Sequence, residues 1–410
     1  MSKLAMTLWD FSWYTRTGPG EPFEDLDRAF TEAVERGYNA VRICAMPFLL
    51  FRSGLDTSAL TFESFGGEYG QRTRWYDVRG RTTLNGRAHL LDFFRAAARH
   101  DVKVIVSSWE YQQSPSFSGD DAWHRALRAV PVSERPLALA DAHADLVDLV
   151  KSEGLADTVA FVELHNEVQV SALTEDGRFG GVVELRDALE AGIDRFKERH
   201  PSVPCTVNYA HVPIGELRGV PRNIDVAVFH PYVYGVLDQL IDEFALRDPS
   251  RPFPQERAYA ELLRDGAPPL EDWQPAENRR WTLDATVMQP RELYAHDWCD
   301  PDKWDRWLYD RYGAHRVAMR AVLDLWLAAA ADLASDRGVP LVFGEGWVGY
   351  TPLHTDFEEG PVGAEICEYA VRRSREIGAW GTIVCSNAAP HHPMWVDVVL
   401  QQRLTAEFLA

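Results

Sequence analysis

Short apolar runs alternate with longer amphipathic segments along the whole chain. The runs lie at residues 4–8, 40–44, 102–106, 159–164, 204–208, 224–229, 341–344 and 381–385, and they are rich in Val, Ile and Phe. Each is followed by a stretch whose apolar positions recur at helical spacing, near 24–36, 88–100, 137–152, 183–199, 214–218, 315–335, 363–377 and 396–408. Apolar runs of strand length that alternate with helical patterns predict a parallel sheet whose crossovers are helices. Eight such units predict the α/β class and a (β/α)8 TIM barrel.

The links between these elements are unequal. Helix-to-strand links are short, as at 37–39, Asp101 and 336–338, whereas three strand-to-helix links, 45–87, 107–135 and 230–313, are long. The working face of a barrel is built by its strand-to-helix loops, so the asymmetry marks one end as functional. The long links carry aromatic residues, among them Phe48, Trp75, Trp109, Trp123, Trp273 and Trp298. They predict insertions that form a cap over the C-terminal face. No linker or repeat divides the chain, so residues 1–410 read as a single catalytic domain with an insertion, 232–313, between the sixth strand and its helix.

Composition narrows the partners. A formal net charge of −20 argues against nucleic acid and against anionic membranes, both of which call for a basic patch. No run of 18 apolar residues occurs, and the first ten residues lack a basic start followed by an apolar stretch, so the expected location is the cytoplasm. The five cysteines show no C-x-x-C spacing, and Cys44, Cys205 and Cys385 fall in predicted strands, as buried thiols do. The oligomeric state is left open.

Two of the apolar runs end at carboxylates. The fourth runs into His165-Asn166-Glu167 and the seventh into Glu345. In a parallel barrel both strand ends open on one face, so Glu167 and Glu345 are placed to meet there. A facing pair of carboxylates suits glycosidic bond cleavage. The loop tryptophans fit the same chemistry, because the C–H faces of a pyranose stack on aromatic rings. Trp9, Trp13, Trp109 and Trp347 are the candidate platforms.

With an Asn-Glu pair ending the fourth strand and a Glu ending the seventh, the chain resembles the clan A retaining glycoside hydrolases, and within them the cellulase-like family 5. The likeness covers the order of strands throughout and is close only at these motifs. It implies Glu167 as acid/base and Glu345 as nucleophile, with substrate contacts from Arg42, Asn166, Asn208, His230 and Tyr232. Arg42 ends the second strand and would favour the ionised form of Glu345. Asn166 would bond a sugar 2-hydroxyl, Tyr232 in His230-Pro231-Tyr232 would orient the nucleophile, and His230 would line the subsite floor. Two departures put the sugar in doubt. Ser107-Ser108-Trp109 stands where the family has a histidine, and the eighth run ends Cys385-Ser386-Asn387 where the family has a tryptophan. Trp395 is a candidate to fold back into the site, and Glu163 is left unassigned.

The expectation is a retaining glycosidase for β-glycosidic bonds of small glycosides or oligosaccharides, working by double displacement on a carbohydrate substrate without metal or organic cofactor. Two rivals stand beside it. One is a metal-dependent barrel hydrolase or sugar isomerase with His165, Glu167, His211, His230 and Glu345 as ligands, although no His-x-His spacing supports it. The other is a non-catalytic sugar-binding barrel.

Overall fold

The computed structural model describes residues 2–173, 181–386 and 388–410. Asn387, which ends the eighth apolar run, lies outside them. The eight strands are β1 (Leu4–Asp10), β2 (Ala40–Cys44), β3 (Lys103–Ser107), β4 (Val159–Glu163), β5 (Cys205–Thr206 and Asn208–Tyr209), β6 (Ala227–Phe229), β7 (Leu341–Phe343) and β8 (Gly381–Ile383). They pair in parallel in chain order, and β1 also pairs with β8. Closure runs through β5. Its first half pairs with β4, Glu163 opposite Thr206, and its second half with β6, Asn208 opposite Val228. The result is a TIM barrel.

Side-chain alternation sorts the strands into an inside and an outside. Met6, Ala40, Ile105, Phe161, Val228 and Val342 form an inner apolar cluster. Their neighbours Ala5, Val41, Val104, Val162 and Phe343 join the larger core packed beneath the helices. The same repeat carried one step further places Arg42, Glu163 and Gly344 above the apolar floor. Gly344 has a packing reason, since a Cβ there would come within 2.9 Å of the His230 ring and 3.3 Å of the Arg42 side chain.

Helix starts are written in short polar residues. Asp25, Asn85, Asp300 and Asp397 each accept a backbone N–H three residues on. The helix after β6 begins at Pro301 behind the Asp300 cap and runs 37 residues to Arg337, well upstream of the start expected near 315. Gly338 ends it with φ 65. Another unforeseen element is an antiparallel hairpin, Leu60–Phe62 with Thr82–Leu84, inside the loop after β2.

The three long loops are tied together over the strand ends. The Asp297 carboxylate accepts the backbone N–H groups of Gly70 and Arg72, and Arg279 donates to the carbonyls of Ser64, Phe65 and Ser118. The segment between β6 and Pro301, with its helices Val236–Glu243, Gln255–Glu261 and Pro290–Asp297, is thereby fixed as part of a cap. Among the described residues no helix is long and apolar enough to cross a membrane, and all five cysteines are buried and free.

Candidate active site

Arg42 is the hub of the upper barrel. Its side chain is fully buried, and its guanidinium donates to Glu163 at 2.6 and 2.9 Å, to Glu345 at 2.6 Å and to Asn166 at 2.6 Å. Its charged plane lies 4.5 Å from the Trp109 ring. Burial works against the guanidinium charge, but Glu163 and Glu345 more than offset it and hold Arg42 protonated above its ordinary range. The parity argument gives Glu163 its place. It follows Phe161 on the inner face, where it pairs with Arg42 and accepts from the Asn208 amide at 2.7 Å.

Glu345 leaves the end of β7 with both oxygens held. Arg42 donates to Oε1, and the Tyr232 hydroxyl donates to Oε2 at 2.8 Å. Glu167 is set differently. Its backbone is left-handed, φ 45, in a residue that carries a side chain, and its N–H donates to Asn208 Oδ1 at 2.6 Å. Its Oε2 accepts from Gln112 at 2.9 Å, and its Oε1 lies 3.0 Å from His230 Nδ1. Burial raises the Glu167 pKa, with Gln112, Arg42 and His211 opposing it. His230 bridges the pair, because the same Nδ1 lies 3.5 Å from Glu345 Oε1. Burial draws the imidazole down to about 4, so it is neutral near pH 7, and Nδ1 is the ring nitrogen that faces both carboxylates.

Of these groups Gln112, Glu167, Tyr232 and Glu345 border a cavity of about 720 Å³. Asp10 and Trp109 line it on one side, Glu167 and His211 on another, and the insertion contributes Tyr234, Arg247 and Glu292. Asp10 fixes one oxygen on the N–H groups of Phe11 and Ser12, and burial pushes its carboxyl up to about 6, with Glu345 adding to the rise. Arg247 donates to Glu292 at 2.7 Å and to the Tyr350 hydroxyl at 2.8 Å.

Of the residues singled out from sequence, the fold brings Arg42, Asn166, Glu167, Asn208, His230, Tyr232, Trp109 and Glu345 into one hydrogen-bonded and stacked group. Asn166 and Asn208 are buried with their amides engaged, Asn166 accepting from Arg42 and donating to Gln112 at 2.9 Å and Asn208 donating to the Glu163 carboxylate, so they brace the site from beneath instead of lining the cavity. Four tryptophans are placed elsewhere. Trp9 packs against Phe23, Phe30 and Phe93 outside the barrel, since Leu8 and Asp10 take the cavity side. Trp347 is buried on Phe343 and donates to the Ile383 carbonyl. Trp395 stacks on Tyr38 behind the helices. Trp13 is also core, stacked on His89. The insertion tryptophans pack within the cap, Trp273 against Trp298, and the aromatic lining falls instead to Trp75, Tyr234, Trp326 and Tyr350.

Of the five possible metal ligands, Glu167, His230 and Glu345 converge, with one ligand atom of each within 4.8 Å of the others. His165 stands apart, stacked on Tyr111. The Arg42 guanidinium, 2.6 Å from Glu345, supplies positive charge at the place where a cation would have to bind.

A family model described as sugar-binding cellulase-like matches residues 6–230. No curated protein matches the chain. Among solved structures, a protein assigned as a glycoside hydrolase from Parabacteroides distasonis superposes with a TM-score of 0.71 at 20% identity, over 100% of this chain and 94% of that one. Endo-glycoceramidase II from a Rhodococcus species gives 0.51 at 13% identity, over 98% and 79%. The endo-1,4-beta-mannanase of Rhizomucor miehei gives 0.50 at 10%, over 99% and 95%. At these identities the likeness is one of fold.

Proposed function

The chain belongs to the sugar-binding cellulase-like family, and from that premise we propose that it is a retaining glycoside hydrolase that cleaves β-glycosidic bonds by double displacement. The observation that carries this reading is the proximity of Glu167 and Glu345, each with an oxygen within 4.8 Å of the other. Retaining enzymes hold their carboxyl groups about 5–5.5 Å apart, whereas inverting ones leave about 6.5–9.5 Å for a water.

The environments divide the labour. Glu345, held between Arg42 and Tyr232, is the nucleophile that attacks the anomeric carbon. Glu167, part-buried with the neutral Gln112 and His230 as its direct partners and its pKa raised by burial, is the acid that delivers a proton to the leaving oxygen. In the second half-reaction Glu167 takes a proton from water, which displaces Glu345 from the sugar. Arg42, Asn166, Asn208 and His230 are positioning residues. Residues 1–410 act as one catalytic unit, and the 232–313 insertion walls the mouth so that the site takes a chain end or a small glycoside. A screen of aryl β-glycosides identifies the sugar, and proton NMR then reads the first-formed anomer. Retention is expected, and initial release of the opposite anomer would overturn the double displacement.

The cluster of Glu167, His230 and Glu345 supports a second reading, a divalent-cation site. It predicts loss of turnover on dialysis against a chelator and recovery with the added ion. The glycosidase reading predicts neither.

A further inference from the structure

The helix Pro301–Arg337 has two unlike faces. Arg316, Arg320 and Asp324 turn toward the helix Pro361–Glu376, where Glu365 and Arg373 pair with them. Midway along the helix the solvent side is apolar, with Val317, Ala318, Ala321, Val322 and Leu325 all exposed. Val317 is 79% exposed and Leu325 58%. Their spacing of three and four residues makes one continuous stripe. An exposed helix face is ordinarily polar and an apolar stripe is ordinarily the buried one, so among the described residues this stripe lacks a partner. It also leads somewhere. Ala318, Met319, Val322 and Trp326 line the catalytic cavity. Trp326 lies 6.2 Å, ring to ring, from His211, which interacts electrostatically with Glu167.

The helix contributes an apolar wall to the cavity, Ala318, Met319, Val322 and Trp326, set among the polar Gln112, His211 and Asp238 that also line it. This inference rests on Glu167 being the acid, because the leaving group must lie beside the group that protonates it. We propose that the leaving-group subsite takes an apolar aglycone, an aryl group or an alkyl chain, which passes over Trp326 and Val322 and continues along the Val317–Leu325 stripe. The continuity of stripe and cavity is what selects this occupant over a second copy of the chain.

The test uses alkyl 1-thio-β-glycosides, which resist hydrolysis, from methyl to octyl, on glucose, mannose and galactose, below their micelle concentrations. Calorimetric affinity should rise with chain length by up to about fourfold per methylene, the limit for full burial. Leu325→Glu and Val317→Glu, on an exposed surface that tolerates charge, should flatten the rise beyond the first few carbons, and Val322→Asn should flatten it from the start. Affinity independent of chain length would overturn the proposal, as would a rise that all three variants leave intact. A flat series with a dimer in sedimentation that Leu325→Glu dissolves would assign the stripe to self-association instead. None of these outcomes touches the anomeric test above, which fails only if the double displacement itself is wrong.

Discussion

The corners of the site that hold Glu167 and Glu345 use one residue type for opposite ends. Glu345 meets a guanidinium and a phenol, a full positive charge and a second donor, one on each oxygen. Glu167 meets a neutral amide and a neutral imidazole, on a backbone turned left-handed to reach them. A cation touches the first carboxylate and only neutral groups touch the second. In the proposed reaction, what separates the acid from the nucleophile is the partner, supplied by β2 in one case and by the loop after β3 in the other.

The comparison breaks most directly at Glu345. Glu345→Gln should reduce turnover of every substrate to background, since no covalent intermediate can form. Glu167→Ala should lose about 10²–10⁴-fold on glycosides with poor leaving groups and far less on activated aryl glycosides, which need little acid help. Azide should restore its rate and yield a β-glycosyl azide. Near-normal activity in both variants would sink the assignment. Arg42→Met strands Glu163 and Glu345 without their cation, so unfolding by urea should show a loss of about 3–5 kcal/mol. A variant as stable as the parent would mean that the hub is not the structural pivot described.

Finer substitutions sharpen the contrast. Tyr232→Phe removes one donor to a charged carboxylate, worth about 1.5–3 kcal/mol. A loss of about tenfold or more in kcat/KM is expected, and an unchanged value would show that the hydroxyl does not serve the nucleophile. Gln112→Leu removes the donor that favours the charged form of Glu167, whose pKa burial already raises. The alkaline limb of the pH–rate profile should therefore move to higher pH, and a move to lower pH would refute the role given to Gln112. The smallest effect concerns Asp10, pushed up to about 6 from its ordinary 3.8. The native state binds that proton more tightly than the unfolded chain, so stability falls as pH rises through this window and stays lower above it. Asp10→Asn should remove that decline in thermal melts taken across the same range.

Much of this was legible in the chain. The eight apolar runs mark eight strands, and Glu167 and Glu345 stand at the ends that the pattern assigns them. Trp9 could have been read correctly too, because Leu8 and Asp10 flank it with opposite parity. Glu163 likewise shares parity with the inner Phe161. Other features depend on contacts that no local pattern carries. Gln112 reaches Glu167 from another loop, and Arg247 meets Glu292 and Tyr350 only after the insertion has folded across the mouth. The long helix starts early because Asp300 and Pro301 form a cap inside a segment that reads as loop. The tryptophans mislead because a large ring packs a cap as readily as it stacks on a sugar.

The place of His230 between the two carboxylates bears on how the site survives its own cycle. In the proposed reaction the substrate and both products are neutral, so the negative charge that leaves Glu345 when it becomes an ester reappears on Glu167 when it gives up its proton. It crosses a gap of less than 4.8 Å and returns in the second half-reaction. One ring nitrogen, Nδ1, 3.0 Å from one carboxylate and 3.5 Å from the other, stands within reach of the charge at both ends of that journey. Buried dipoles need not turn to follow it, and the reorganisation that water would demand at each step is avoided. In that proposed cycle the ring is a fixed group beside a moving charge, while the Arg42 cation, 2.6 Å from Glu345, marks the end at which the charge rests.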